Sequence, residues 1–284
     1  MIRLVTVIGH GINLLPHFIE HYEKQVDEIN IVIYESGISM ELAHDIREIV
    51  RGNKKIKIVK TVRHRIFDWE KVTQLYNEIK STYPNDWWVV ADIDEFHLYP
   101  YDNLRAMIKN CDVYGWDLVR GGFIDRIGKN GEFVDISSDN ILFQQFPEAG
   151  FFRYPMSKAC PNKVCVMKGY VEITSGQHYA KIDGHTTWRW QGWNHPLIAP
   201  YDEYSVQVHH FKWDKTSIQR MLDVCNVNEE YAFSQEYRTM YYAIREINFK
   251  IDIYNKEYMF EVVDEPKYNK YKQWNKLINK IVSI

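Results

Sequence analysis

An α/β fold built on a parallel, doubly wound sheet is the class this sequence predicts, and three observations predict it. Apolar strand-like runs at residues 1–9, 29–34 and 56–62 alternate with stretches of helical period. Each connection is long enough for a crossover helix, and β-α-β-α-β order implies parallel strands joined with right-handed handedness. A fourth run, Trp87-Trp88-Val89-Val90-Ala91, is apolar throughout, as a strand covered on both faces should be, and it ends in Asp92-Ile93-Asp94-Glu95-Phe96.

The elements follow in order. The first strand runs into Gly9-His10-Gly11, where two glycines permit a tight loop and close approach by a ligand. Leu14, Leu15, Phe18, Ile19 and Tyr22 form a helical stripe, with Pro16 near the helix start where its missing N–H is tolerated. The second strand ends in Glu35-Ser36-Gly37, and residues 40–50 make the second helix. A third helix over residues 69–82 is closed by Pro84-Asn85-Asp86 before the carboxylate run. Beyond it, residues 104–108 read as a short helix and 116–123 as a strand. Residues 133–211 alternate short apolar runs with Gly, Pro and Asn, as antiparallel strands and long loops do. Residues 216–284 are largely helical, with stripes such as Met221, Leu222 and Cys225. No repeat, low-complexity tract or flexible linker interrupts the chain.

Composition excludes several classes. With 35 basic and 38 acidic residues the formal charge is −3, which provides no footprint for nucleic acid or an anionic membrane. The first strand is too short for a signal segment, and nowhere do about 18 apolar residues run together, so no membrane span is expected. Cys111, Cys160, Cys165 and Cys225 are too scattered for a disulfide framework or a tight zinc pair, and reduced thiols in the cytoplasm are the expectation.

The carboxylates carry the chemistry. Continued strand alternation would place Asp92 and Asp94 on one face and Glu95 on the other. Ligands of open α/β sheets bind at the carboxyl ends of strands, so two acids there could hold a hard divalent cation and, through it, a diphosphate. The competing local reading is that Asp94 and Glu95 cap a following turn.

In this order of elements the chain resembles the glycosyltransferases of the GT-A fold, especially the family-2-like group with a D-x-D-E-F motif. Leu15-Pro16-His17-Phe18-Ile19-Glu20-His21-Tyr22 is similar to that group's first helix and Ile31-Val32-Ile33-Tyr34 to its second strand. Gln74-Leu75-Tyr76-Asn77 followed by the Trp87 run resembles its third helix and metal strand. Lys163-Val164, His178 and His210-Phe211 with Lys215 resemble its later basic and histidine positions. The resemblance covers roughly residues 1–220 by inspection. Two departures stand out: Glu35-Ser36-Gly37 replaces an Asp-rich turn after strand two, and Gly11-Ile12-Asn13 replaces an Asn-Glu pair after strand one.

The resemblance implies a GT-A type α/β fold, in which a nucleotide-binding parallel-strand half is fused to a mixed-sheet acceptor half, with a helical C-terminal region. A catalytic domain would span residues 1–215, and residues 216–284 would pack on it. It also implies a hexosyltransferase-type enzyme that moves a sugar from a UDP- or GDP-sugar donor to a glycan or other hydroxyl acceptor, with inversion. Mn²⁺ or Mg²⁺ on Asp94, with Asp92 on the ribose or the metal, would stabilise the leaving diphosphate. His210, then His178, are the histidines to complete the cation's shell. Gly9, Gly11, Glu35, Lys163 and Arg153 join Asp92 as donor-binding candidates. Asp125 and Asp183 are the carboxylates able to deprotonate the acceptor, although Asp125 could instead pair with the adjacent Arg126. Trp188, Trp190 and Trp193 could stack on a sugar face, or pack as a strand.

Two other classes compete. A non-catalytic carbohydrate-binding protein would explain the tryptophans but not the acids. A metal-dependent phosphoryl or nucleotidyl transferase would want Thr where Phe96 stands, or a longer glycine-rich first loop than Gly9-His10-Gly11.

Overall fold

The computed structural model describes residues 1–36, 41–65, 67–150, 152, 155–157, 160, 162–182, 184–186, 195–226, 234–252 and 255. Its first stretch is β1 (Ile2–Ile8), α1 (Leu15–Tyr22), β2 (Glu28–Ser36), α2 (Leu42–Ile49), β3 (Ile56–His64), α3 (Trp69–Ser81) and β4 (Trp87–Val90). There follow β5 (Glu95–Leu98), α4 (Leu104–Tyr114), β6 (Leu118–Ile127), α5 (Leu142–Gln145), β7 (Glu148–Gly150) and β8 (Asn162–Lys168). The chain continues through β9 (Glu172–Ile173), β10 (Ala180–Ile182), β11 (His185–Thr186), α6 (Tyr201–Tyr204) and β12 (Val206–His210), and ends its described course in α7 (Lys215–Asn226) and α8 (Ser234–Glu246).

The α/β class is the one expected. β1 lies between β2 and β4 and is parallel to both, while β8 pairs antiparallel with β4 and β6. The strand order is β3-β2-β1-β4-β8-β6-β12-β5, with β7 paired to β6, so a parallel half passes into a mixed half. Local chemistry explains the boundaries. Pro16 occupies the first turn of α1, and Asp68 caps α3 by accepting from the N–H groups of Glu70 and Lys71 at 2.9 and 3.0 Å. Asn103 caps α4 in the same way through Ala106 N–H, at 3.0 Å.

The chain forms two compact units, Met1–Gly122 with Asn162–Val208, and Phe123–Pro161 with His209–Ile284. In the first, every residue of β1 and β4 is buried, as their continuous apolar runs require, whereas β3 alternates half-buried and exposed positions like a strand with one wet face. Trp88, Val5, Tyr34, Leu75, Tyr76, Val164 and Met167 belong to one apolar cluster there. The second unit has its own, built from Ile127, Phe152, Trp213, Met221, Met240 and Ile244. Among the described residues no helix is long and apolar enough to cross a membrane.

Gly121 shows how closely the strands of the mixed half approach. A Cβ there would stand 2.2 Å from the Val206 carbonyl oxygen and 2.9 Å from Cys165 Sγ. Gly121→Ala is therefore expected to destabilise the protein by about 2–3 kcal/mol through backbone displacement, measured as a lower urea midpoint at unchanged m.

Two neighbouring histidines, His97 buried and His21 partly so, couple the stability of this unit to acid pH. His21 on α1 meets the His97 carbonyl at 3.0 Å, and burial lowers its pKa to about 4. His97, wholly enclosed on β5, is pushed well below the ordinary range by burial, then by His21 and Lys163. Both are neutral in the folded protein, so between the ordinary histidine pKa and about 4 the unfolded chain binds more protons and stability falls as pH falls. His21 alone should contribute a loss of about 2 kcal/mol at roughly pH 5. His21→Gln should remove that part of the slope when urea unfolding is compared at about pH 5 and 7.

Candidate functional site: an acid turn at the carboxyl edge of the parallel strands

The parallel pairings bring three sequence-distant segments to one sheet edge. Arg3 to Ile8 of β1 run alongside Glu28 to Ile33 of β2, and Ile2 to Val5 alongside Trp87 to Val90 of β4. The carboxyl ends of β1, β2 and β4 therefore open on the same side, carrying Gly9 and Gly11, Glu35, and Asp92 respectively. From β1 the chain winds outward through β2 to β3 and later returns to β4 on the other flank. The reversal of strand order between β1 and β4 is where open α/β sheets form a ligand crevice.

Gly11 adopts φ 69°, and a Cβ on it would come within 3.1 Å of Ile93 Cγ2, so the glycine loop lies directly against the acid segment. Glu35 is 5% exposed. Its Oε2 accepts from Arg63 Nε at 2.7 Å, while Oε1 is buried with no hydrogen-bond partner among the described residues. An acceptor left this way at a strand end is suited to an N–H or O–H of a ligand.

The acids do not continue the strand. β4 ends at Val90, residues 91–94 turn, and β5 begins at Glu95. The turn is closed by Glu95 N–H donating to the Asp92 carbonyl at 3.0 Å and by Asp92 N–H donating to Glu95 Oε2 at 3.3 Å. Strand parity thus fails here. Glu95, expected on the face opposite Asp92, shares a lysine with it.

That lysine is Lys163 from β8, 3% exposed. Its ammonium lies 2.7 Å from Glu95 Oε1 and 3.4 Å from Asp92 Oδ2, donates to the Gly176 carbonyl at 3.0 Å, and also bonds Gln177 Oε1. Burial pulls this ammonium down, but Glu95 and Asp92 outweigh it and hold its pKa above the ordinary lysine value. Asp92 Oδ1 accepts from the Tyr76 hydroxyl at 2.6 Å and from Gln177 Nε2 at 3.2 Å. Burial, then Asp92, keeps the Tyr76 phenol well above its usual range, so it remains a donor. Asp92 is the more open carboxylate, with 36% of its side chain accessible, and Asp94 is buried at 8%.

His178 follows Gln177 directly in the chain, and its Nδ1 is 2.9 Å from the Asn162 carbonyl in the first unit. In the second unit, Asp125 and Arg126 turn to opposite faces of β6 and bond different histidines rather than each other. Asp125 accepts from the Phe152 N–H at 3.1 Å and from Trp213 Nε1 at 2.9 Å, and its Oδ1 is 2.9 Å from His210 Nδ1. Arg126 Nε donates to His209 Nδ1 at 2.9 Å, and burial lowers its pKa to about 10. His209 is wholly buried and bonds Arg126, while His210 bonds Asp125. Asp183, Arg153, Trp188, Trp190 and Trp193 lie outside the described residues.

Among the described residues no three His, Cys, Asp or Glu side chains converge as a metal-holding group. The acid turn can still contribute part of a cation's shell. Asp92 and Glu95 share the single ammonium of Lys163, and the Asp92 side chain is the more accessible of the two. A hard divalent cation that takes one or two carboxylates and completes its shell with phosphate oxygens and water fits that donor set. Tyr76 and Gln177 are the residues sequence reading overlooked. Tyr76 had a signal, being a polar-tipped aromatic on the buried stripe of α3; Gln177 had none.

No family model matches the chain, and no curated protein matches it. Similar solved structures include a mannosyltransferase from Pyrobaculum calidifontis in complex with GDP-mannose and Mn²⁺, 12% identical, with 85% of this chain and 69% of that one covered at a TM-score of 0.37. Another is a Bacillus anthracis protein described as a glucose-1-phosphate thymidylyltransferase, in complex with sucrose, also 12% identical, with 60% of this chain and 72% of that one covered at a TM-score of 0.33. At these scores neither neighbour defines an activity for this chain.

Proposed function

We propose that the protein is a metal-dependent glycosyltransferase that transfers a sugar from a nucleotide-sugar donor to an acceptor hydroxyl. The observation that carries the reading is the acid turn itself: Asp92 and Asp94 follow a central parallel strand at the sheet's switch point, against a glycine loop, and the same sheet edge carries an unsatisfied buried carboxylate oxygen on Glu35, one strand further out. A bound nucleotide would use each of these. Gly9 and Gly11 allow its backbone-close approach, Glu35 Oε1 accepts from base or ribose, and Asp92 faces the ribose or the cation.

Asp94, with Asp92 beside it, would hold Mn²⁺ or Mg²⁺, and such a cation acts as a Lewis acid on the leaving diphosphate. Lys163 supports the turn by keeping Glu95 compensated. Proton removal from the acceptor is assigned to a carboxylate, Asp125 or Asp183, and inversion follows if that group acts on the face opposite the diphosphate. Trp188, Trp190 and Trp193 are proposed to contact the acceptor sugar.

The test is a thermal-shift screen of UDP, GDP and other nucleoside diphosphates with and without Mn²⁺. One nucleotide should stabilise the protein only when the metal is present. A protein stabilised by free sugars and indifferent to nucleotide and metal would instead be a carbohydrate-binding module.

A further inference from the structure

We infer that Gln177 is a positioning residue for Asp92: it keeps the Lys163 ammonium on Glu95 and so leaves the charge of Asp92 for the cation and donor. The inference rests on the nucleotide-sugar reading of the acid turn.

Gln177 is 2% exposed, yet it lies in the short turn that leads from β9 to β10. Its backbone has φ +53°, a left-handed conformation that residues with a Cβ seldom adopt and that clusters where function demands it. The turn is tied down from α3. The Asn77 side chain donates to the Ile173 carbonyl at 2.8 Å and accepts from the Ile173 N–H at 2.9 Å. The preceding residue on the same helix, Tyr76, bonds Asp92. One turn of α3 therefore anchors both the acid segment and the segment carrying Gln177.

The amide can face only one way. Lys163 Nζ can only donate, so it takes Oε1; the ionised Asp92 carboxylate can only accept, so it takes Nε2, at 3.2 Å. An ammonium has three protons. Glu95 Oε1 at 2.7 Å, the Gly176 carbonyl at 3.0 Å and Gln177 Oε1 compete for them with Asp92 Oδ2, the longest of these contacts at 3.4 Å. Without the Gln177 oxygen, the ammonium can move closer to Asp92, whose existing contact is the long one at 3.4 Å. A tighter Lys163–Asp92 pair would offset more of the charge that the cation and donor need, and the carboxylate would also lose the amide that fixes its plane.

Gln177→Asn separates this role from a merely structural one. Asn tolerates the left-handed backbone better than Gln, so the variant should fold at least as well, but its amide is one methylene too short to bridge Lys163 and Asp92. Gln177→Met, of similar length and apolar, is the second variant. The measurement is the Mn²⁺ concentration giving half of the thermal stabilisation by whichever nucleoside diphosphate stabilises the native protein, together with the melting temperature of each variant alone. Both variants should need about tenfold more Mn²⁺ or beyond, the range expected when an outer partner of a metal-binding carboxylate is lost, and Gln177→Asn should melt no lower than the native chain. Half-saturation within about twofold of native in both variants would overturn the inference while leaving the reading of the site intact. A native protein with no Mn²⁺-dependent nucleotide stabilisation would remove both.

Discussion

Asp94→Asn is expected to abolish the stabilisation that a nucleoside diphosphate and Mn²⁺ together confer. At a ligand concentration about 100 times its Kd the native protein should gain about 2.7 kcal/mol, roughly 5–11 °C in Tm for a chain of this size. The substitution keeps the shape of the side chain but removes the charge that attracts a divalent cation, and a neutral amide oxygen is a weaker ligand for a hard cation than a carboxylate. The expected curves are a large shift for native protein with nucleotide and Mn²⁺, little for either alone, and none for the variant. Melting the variant without ligands beside the native chain separates lost binding from lost folding. Stabilisation by nucleotide without metal, retained in Asp94→Asn, would defeat the cation-clamp mechanism.

The second large effect should come from Lys163→Met. Glu95 is 2% exposed and its ion pair with Lys163 is shielded from water, so removing the ammonium strands a carboxylate in the interior. Breaking one partner of such a pair costs about 3–5 kcal/mol, a sizeable share of the roughly 5–15 kcal/mol that holds a typical protein together. Two signatures identify the cause. Adding Glu95→Met should recover most of the loss, because replacing both partners by apolar side chains leaves no stranded charge. The single variant's deficit, measured against native protein at the same pH, should also shrink on acidification. A carboxyl whose folded pKa has been raised binds its proton first in the folded state, so folding gains as pH falls through that value. A deficit independent of pH and unrepaired by the second substitution would mean that Lys163 acts through packing.

Most of the parallel half was legible residue by residue. The stripe Leu14, Leu15, Phe18 and Tyr22, the closing Pro84-Asn85-Asp86 and the unbroken apolar runs of β1 and β4 are local patterns, and local patterns decide local conformation when the core they imply actually forms. The error lay at the most informative point. Ala91-Asp92-Ile93-Asp94-Glu95 alternates apolar and polar residues as a strand does, which predicts that β4 continues through it. The chain turns instead. The Asp92 and Glu95 main chains bond across the turn, and Lys163, 68 residues beyond Glu95, draws the two side chains to one point. Likewise the Asp125-Arg126 neighbours suggested a mutual ion pair, but β6 sends them to opposite faces, each toward a histidine of β12.

The order of helices and strands, and the acids delivered at the end of a buried strand, could be read from one-dimensional periodicity, because hydrophobic burial imposes a period of 2 or 3.6 on any chain that forms those elements. The geometry of the acid turn could not. Lys163, Gln177 and Tyr76 reach Asp92 from β8, a connecting turn and α3. Contacts between such distant segments leave no periodic trace, since they depend on which strands become neighbours in the sheet and on where buried charges find compensation. A buried ammonium must be matched by carboxylates wherever the chain brings them, and that requirement, acting after the sheet is assembled, drew Asp92 and Glu95 together around Lys163.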